Sequence, residues 1–179
     1  LGTDDDTTPF MMSEIQRLGI NTDYIYQEKG VINGKCLIVN TNDQRTMFIV
    51  DPIRPYYVVD KRLQDALNNA TYIYSLMHMI NRSFETIEPL LEAKKHGARI
   101  ILDGSSKYDD PKRLETLYKL ADGLFINETD YGRLTEATGS DPRKVIFNNG
   151  GLFVCVTHGS KGSTLYLKDE EIYLPSVSG

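Results

Sequence analysis

Residues 151–167, with the sequence GLFVCVTHGSKGSTLYL, decide the fold predicted for this chain. An apolar run from Phe153 to Val156 ends at Thr157, turns through two glycines and resumes as a second extended run. Apolar residues without polar alternation are typical of a strand that is buried on both faces of a parallel sheet. We therefore predict a buried strand with Thr157 at its carboxyl end.

The turn after this strand has the pattern Thr-x-Gly-x-x-Gly, with glycines at Gly159 and Gly162. Glycine adopts positive φ and allows close backbone approach, so the amide N–H groups of such a turn can line a concavity for an anion. Lys161 lies in the same turn and is a candidate phosphate contact. The alternative is a turn that only closes an ordinary pair of strands.

Strands and helices alternate along the chain before this turn. We predict strands at residues 72–77, 98–102 and 123–126, separated by amphipathic helices that contain regularly spaced leucines. This βαβ alternation predicts an α/β fold built on a wound, mostly parallel sheet.

Residues 30–50 have a different pattern from the rest of the chain. Two extended runs, Val31 to Asn40 and Arg45 to Val50, are joined by Thr-Asn-Asp-Gln and predict a β-hairpin. The composition changes near residue 52. We therefore predict an α/β body formed by residues 1–29 and 52–179, and a small β lid formed by residues 30–51.

A second polar cluster, Asn127 to Asp130, directly follows the predicted strand at residues 123–126. Asn127 is a good helix N-cap, and the free amides of a helix N-terminus attract phosphate. A carboxylate such as Asp130 can hold a hydrated Mg²⁺ through a water molecule. The alternative is that these side chains only cap the helix and complement its dipole.

Composition limits the classes of function. The chain has 179 residues, 40% of them apolar and 25% charged, and a net charge of −5, which gives no support to a nucleic-acid or membrane partner. No apolar stretch approaches the length of a membrane span. Cys36 and Cys155 lie in separate apolar runs and are expected to be buried free thiols in a reducing cytoplasm.

The two polar clusters together resemble the PfkB-type, ribokinase-like sugar kinases. Asn127 to Asp130 is similar to the Asn-x-x-Glu motif with which that family places Mg²⁺ and phosphate, with Asp130 in place of the usual Glu. Thr157 to Gly162 is similar to the segment that lines the ATP site. The resemblance implies a three-layer fold, ATP and Mg²⁺ as cofactors, and nucleotide contacts from Asn127, Thr157, Gly159, Lys161 and Gly162.

The resemblance extends over most of the chain. The opening residues, which include Asp4, are similar to the family's Gly-x-Asp-x-x-Gly helix, and the segment around Arg45 is similar to the lid strands that close over the sugar and often form dimers. It implies that Asp4, Arg45 and His78 contact the substrate or the lid. Two family signatures are expected outside the chain, namely a substrate-binding Gly-Gly before Leu1 and a Gly-Ala-Gly-Asp with the catalytic base after Gly179. The chain also lacks an initiating Met and stops just after a strand-like run, so both of its ends look cut.

The resemblance implies ATP-dependent phosphorylation of a hydroxyl group on a small-molecule sugar or sugar derivative, with a possible homodimer through the lid strands. A nucleoside kinase of the same fold remains open, as does a non-catalytic fragment that at most binds nucleotide. A dinucleotide-dependent oxidoreductase is the weakest alternative, because no Gly-x-Gly-x-x-Gly follows the first strand.

Overall fold

The computed structural model describes most of the chain and divides it into two units, Leu1–Pro55 and Tyr56–Gly179. The predicted division into a body of residues 1–29 and 52–179 and a lid of residues 30–51 stays a prediction. The described residues are 1–41, 44–50, 58–77, 79–80, 86–104 and 111–177.

The described part of Leu1–Pro55 contains helix α1 and an antiparallel pair of strands. The bounds are α1 Thr8–Arg17, β1 Lys35–Thr41 and β2 Gln44–Val50. Leu37 of β1 lies opposite Phe48 of β2. The predicted hairpin strands are therefore confirmed, although β1 begins four residues later than the predicted run.

Asp5 and Asn33 connect the start of this unit to the segment before β1. Both side chains are buried, and Asp5 accepts hydrogen bonds from Thr7 Oγ1 and from the Asn33 amide, the latter at 2.9 Å. The Asn33 side chain donates to Thr8 Oγ1 at 2.8 Å and accepts from the Gly2 amide at 2.9 Å. The hydrogen bonds from Thr7 and Asn33 hold the pKa of Asp5 well below its usual range, so this carboxylate is charged in the fold.

The unit Tyr56–Gly179 is built on a six-stranded sheet in the order β3-β4-β5-β6-β7-β8. The strands are β3 Tyr72–Leu76, β4 Arg99–Asp103, β5 Gly123–Asn127, β6 Phe153–Thr157, β7 Ser163–Tyr166 and β8 Glu171–Leu174. The described helices are α2 Lys61–Asn68, α3 Glu88–Lys95, α4 Pro111–Leu120, α5 Glu128–Thr138 and α6 Pro142–Asn148. No helix in the described ranges is long and apolar enough to cross a membrane.

Strands β3 to β6 are parallel and adjacent in chain order, whereas β7 and β8 are antiparallel. The prediction of an α/β fold with a mostly parallel sheet is therefore confirmed. Right-handed crossovers between strands taken in this order bring the connecting helices to the same face of the sheet. The hydrophobic core is consistent with this arrangement, because alternate residues of the strands pack against the helices on that face. The strand residues are Ile73, Ile100, Leu102, Leu124, Ile126, Val154 and Val156, and the helix residues are Leu90, Ala93, Leu117, Leu134 and Ile146.

The opposite face of the sheet carries apolar residues that are only partly covered. Phe153 and Cys155 are half-buried, and Phe125, whose ring lies 5.3 Å from that of Phe153, is exposed. The prediction that the run 153–156 is buried on both faces is therefore wrong for this strand. The prediction of two buried thiols is also wrong, because Cys36 is exposed on the hairpin.

A buried carboxylate, Asp122, joins β4, β5 and α3 at the amino ends of the parallel strands. It accepts hydrogen bonds from Lys94 at 2.8 Å, from Arg99 at 3.1 Å and from the Ile100 amide at 2.8 Å. Burial raises the pKa of Asp122, but the bonds from Lys94 and Ile100 outweigh burial and the net pKa is lowered. The charged carboxylate therefore stabilises the fold.

We expect Asp122→Asn to lower the free energy of unfolding at pH 7 by about 2–4 kcal/mol, because an amide NH₂ would face two cationic donors. A lowered folded-state pKa gives stability that is complete above about pH 5 and is lost as the pH falls through that pKa. The difference between wild type and variant should therefore shrink below about pH 4 in urea titrations.

The matched control is Glu92→Gln, which alters an exposed carboxylate that pairs with Lys95 on the surface of α3. Exposed ion pairs contribute little, so this variant should unfold like the wild type. A difference for Asp122→Asn that is equally large at pH 7 and at pH 2 would contradict the role of the charged carboxylate.

Candidate functional site

The two polar clusters predicted from the sequence meet at one edge of the sheet. Strands β5 and β6 are parallel, and Asn127 is the register partner of Thr157. Both residues are the last of their strands. The structure therefore brings together the start of helix α5 and the glycine turn, as expected for ligand sites at the carboxyl ends of parallel strands.

Asn127 begins helix α5 as its N-cap. Its side-chain oxygen accepts a hydrogen bond from the Asp130 amide at 2.8 Å, and its NH₂ group donates to Asp130 Oδ2 at 2.7 Å. The predicted N-cap is therefore confirmed, and the helix begins at Glu128. The first amides of a helix have no intrahelical acceptor, and the helix dipole favours an anion there.

The Asp130 side chain is buried beneath this cap. Its Oδ2 accepts the bond from Asn127, and its Oδ1 lies 3.5 Å from Arg133 of the same helix. Asp130 therefore fixes the orientation of Asn127. The predicted role of Asp130 as a magnesium ligand through water stays a prediction.

The glycine turn is a short 3₁₀ segment, Gly159–Lys161, between antiparallel strands β6 and β7. The His158 amide donates to the Gly162 carbonyl at 2.7 Å, which closes the turn. The turn does close an ordinary strand pair, so that alternative is correct as a description of the backbone. This role in closing the strand pair does not exclude an anion site at the turn. A Cβ at Gly159 would meet no atom within 4 Å, so the backbone there borders open space that an anion could enter.

The turn is also fixed to strand β8. Gly162 has φ +104°, and a Cβ at this position would lie 2.1 Å from the Leu174 carbonyl oxygen. The Tyr173 hydroxyl donates a hydrogen bond to the Lys161 carbonyl. Glycine at position 162 is therefore required both by the backbone angle and by the close approach of β8.

His158, which sequence reasoning missed, is the second residue of the segment Thr157 to Gly162, and its side chain contacts the start of helix α5. Its Nδ1 is 2.8 Å from Glu128 Oε2, and its Nε2 is 3.0 Å from Thr164 Oγ1. The hydrogen bond with His158, which outweighs burial, and the positive charge of Lys161 lower the pKa of Glu128. One signal was present, since residue 128 lies two positions after the predicted strand 123–126 and residue 158 directly follows Thr157, the predicted end of the later strand.

The three residues predicted to contact the substrate or the lid lie elsewhere in the chain. Asp4 is exposed in the unit Leu1–Pro55, where it accepts a hydrogen bond from the Gly30 amide at 3.1 Å. Arg45 pairs with Asn40 in the hairpin, but its side chain lies outside the described residues, as does all of His78. Their predicted roles stay predictions.

The sequence of the chain matches the model of the pfkB family of carbohydrate kinases over residues 3–178. The chain belongs to the pfkB family. This match confirms the predicted resemblance and covers both polar clusters. A search of curated protein sequences gave no match.

Solved structures with the same fold include kinases for different substrates. A fructokinase with bound ATP from Xylella fastidiosa is 16% identical, with a TM-score of 0.81 over 100% of this chain and 60% of that one. A putative ribokinase II from E. coli is 17% identical, with a TM-score of 0.80 over 100% of this chain and 61% of that one. A Burkholderia thailandensis nucleoside kinase in complex with inosine is 14% identical, with a TM-score of 0.76 over 99% of this chain and 57% of that one.

These likenesses show the fold alone, an α/β fold of the ribokinase type. This pfkB chain spans between 57% and 61% of the length of those three structures.

We expect Gly162→Ala to lower the free energy of unfolding by about 3 kcal/mol, because the new Cβ would strain the backbone and overlap the Leu174 carbonyl. Urea denaturation followed by circular dichroism measures this loss.

Gly159→Ala is the matched control, since Gly159 has φ +59° and no neighbouring atom at the Cβ position. A left-handed alanine costs about 1 kcal/mol. Equal losses for the two variants would contradict the packing of Gly162 against β8.

Proposed function

We propose that the protein is an ATP-dependent kinase that transfers the γ-phosphoryl group to a hydroxyl group of a sugar or sugar derivative, and that this chain carries its nucleotide site. The register of β5 and β6, which pairs Asn127 with Thr157, carries the proposal. In that register the carboxyl ends of two adjacent parallel strands lie side by side, and open α/β sheets bind ligands just beyond such ends. Membership of the pfkB family supports phosphoryl transfer over dinucleotide-dependent oxidation.

The glycine turn and the start of α5 suit the polyphosphate of ATP. The open space beside Gly159 allows a phosphate to approach the backbone of the turn. Lys161 adds a positive charge from the same turn, and the N-terminus of α5 after Asn127 attracts the negative charge of phosphate. In this arrangement Thr157, Gly159, Lys161 and Gly162 line the nucleotide.

Magnesium fits this site through an indirect contact. Mg²⁺ keeps several of its waters and binds proteins through one or two carboxylates. Asp130 Oδ2 is engaged with Asn127, whereas Oδ1 has only the 3.5 Å contact with Arg133 among its described partners. We therefore propose that Oδ1 accepts a hydrogen bond from a magnesium-bound water. When bound, the ion neutralises negative charge on the phosphates.

The reaction forms a bond between the acceptor oxygen and the γ-phosphorus and breaks the bond from that phosphorus to the bridging oxygen of ADP. The hydroxyl proton passes to a carboxylate base. Within this chain, the amides at the start of α5 and in the glycine turn orient the phosphates. We place the protein in the cytoplasm, where its free thiols Cys36 and Cys155 stay reduced.

The family resemblance supports, for each of Asp4, Arg45 and His78, a proposed contact with a small-molecule acceptor or with the lid. A nucleoside is the alternative acceptor, and one solved relative of the same fold contains inosine. Phosphate transfer to a panel of sugars and nucleosides, measured on a protein that contains the expected Gly-Ala-Gly-Asp segment, distinguishes the two classes. Nucleotide binding without transfer to any of them would support a non-catalytic nucleotide-binding chain.

We expect the chain to bind Mg·ATP in isothermal titration calorimetry, and Asp130→Asn to weaken its dependence on Mg²⁺. The amide keeps the size of the side chain but removes the charge that attracts the hydrated ion. The affinity for ATP in the presence of Mg²⁺ should fall by about tenfold, with a smaller change when EDTA is present.

Asp141→Asn is the matched control. Asp141 is also a helix-capping carboxylate, but it caps helix α6 and accepts a hydrogen bond from Tyr131, and it is not part of the proposed magnesium site. It should leave the Mg²⁺ profile unchanged. A folded chain that binds no Mg·ATP would count against the proposed nucleotide site, and an unchanged Mg²⁺ profile in Asp130→Asn would count against the role of Asp130 alone.

We further propose that the chain forms a homodimer through β1 and β2. The hairpin exposes large apolar residues on both of its faces, among them Leu37 at 65%, Ile38 at 47%, Met47 at 51% and Phe48 at 57% relative exposure. A two-stranded ribbon is only marginally stable by itself, and contiguous exposed apolar residues mark interaction surfaces. A second copy would cover these residues.

We expect Phe48→Glu to convert a dimer into a monomer in sedimentation velocity experiments, because the charge would be buried in the interface. Phe10→Glu is the control, since Phe10 of α1 is also exposed, at 68%, but lies outside the hairpin. A wild-type protein that sediments as a monomer, or a dimer that survives Phe48→Glu, would refute this interface.

A further inference from the structure

The geometry points to His158 as a positioning residue that holds the glycine turn against the start of helix α5 and thereby sets the affinity for Mg·ATP. This inference rests on the proposed function. His158 is not among the residues proposed to contact the nucleotide itself, and it acts through Glu128 and the turn.

His158 makes side-chain contacts with two elements that flank the candidate site. Its Nδ1 lies 2.8 Å from Glu128 Oε2, and Glu128 is the first residue of α5. Its Nε2 lies 3.0 Å from the Oγ1 of the buried Thr164 on β7. Its own backbone closes the turn through the bond to the Gly162 carbonyl. One residue therefore connects the helix start, the turn and the following strand.

The chemistry of the partners assigns a role to each ring nitrogen. A carboxylate accepts only, so Nδ1 must carry the proton and donate to Glu128. In the neutral ring, Nε2 then accepts a hydrogen bond from the Thr164 hydroxyl. Both bonds are satisfied in this tautomer, and the imidazole ring is held at both of its nitrogens.

A fixed separation between the turn and the helix matters for a polyphosphate ligand. The glycine turn and the N-terminus of α5 would bind different phosphates of one molecule. The entropic cost of ordering these two segments on binding is reduced when the protein already holds them in place. Tyr173 and Leu174 fix the turn to β8 on its other side. Toward α5, the bond from His158 to Glu128 adds a side-chain contact to the backbone pairing of Asn127 with Thr157.

The chain offers a matched control in His96. This residue also contacts a glutamate, with Nδ1 lying 3.6 Å from Glu92 Oε1, but both residues belong to helix α3 and its C-terminal cap. The His96 pair is therefore local to one helix, whereas the His158 pair joins residues 30 positions apart.

Four proteins are compared as the full 179-residue chain: the wild type, His158→Ala, His158→Asn and His96→Ala. The amide nitrogen of asparagine is as many bonds from the backbone as Nδ1, so His158→Asn keeps the donor to Glu128. The measurements are calorimetric titration with Mg·ATP, hydrogen exchange of the amides of residues 159–162 without ligand, and the thermal unfolding midpoint.

We expect His158→Ala to weaken Mg·ATP binding by about tenfold and to speed exchange in residues 159–162. His158→Asn should restore both properties toward wild type, and His96→Ala should change neither. If His158 served stability alone, His158→Ala would lower the unfolding midpoint, and His158→Asn would not restore the affinity for Mg·ATP.

Four results would overturn the inference. Wild-type affinity for Mg·ATP in His158→Ala would overturn it and leave the proposed function intact. Equal losses of affinity in the alanine and asparagine variants would have the same consequence. Unchanged exchange in residues 159–162 would exclude the contact as the restraint on the turn, whether or not nucleotide binds. A wild-type chain that binds no Mg·ATP would refute the proposed function itself, and the affinity role of His158 with it.

Discussion

Parallel pairing between β5 and β6 aligns Asn127 with Thr157, and the other groups of the candidate nucleotide site lie within a few residues of that pair. Parallel strands end at the same edge of a sheet, so the polar residues that follow them are brought together although 30 positions separate them in the chain. An antiparallel pairing would have placed them at opposite edges. The proximity of the helix cap to the glycine turn and the contact between His158 and Glu128 both depend on this register.

The order of the strands has a second consequence for the unit Tyr56–Gly179. Adjacent parallel strands in chain order direct the described helices to one face, where the core is fully buried. The other face keeps exposed aromatic residues such as Tyr72 and Tyr74. At the amino ends of the same strands, Asp122 joins β4, β5 and α3 through charged hydrogen bonds. The sheet therefore separates an edge used for stability from an edge suited to binding.

Much of the fold was predictable because its signals are local. The apolar run 153–156, the Asn127 cap and the hairpin strands each follow from a few neighbouring residues, and the structure confirms them. Burial was harder to predict, since it depends on what packs against a residue. Cys36 lies in an apolar run and yet is exposed, and Phe153 is half-buried because the described helices of its unit pack on the opposite face.

The sequence by itself determined the family, the alternation of strands and helices, and the two polar motifs, because each of these is encoded in the identity and spacing of nearby residues. Only the tertiary structure decided how the motifs are used. It paired Asn127 with Thr157, engaged one oxygen of Asp130 with its own cap, and closed Gly162 against β8. It also placed His158 between Glu128 and Thr164. The reason is that strand register and side-chain direction are set by packing between distant segments, which no local pattern records.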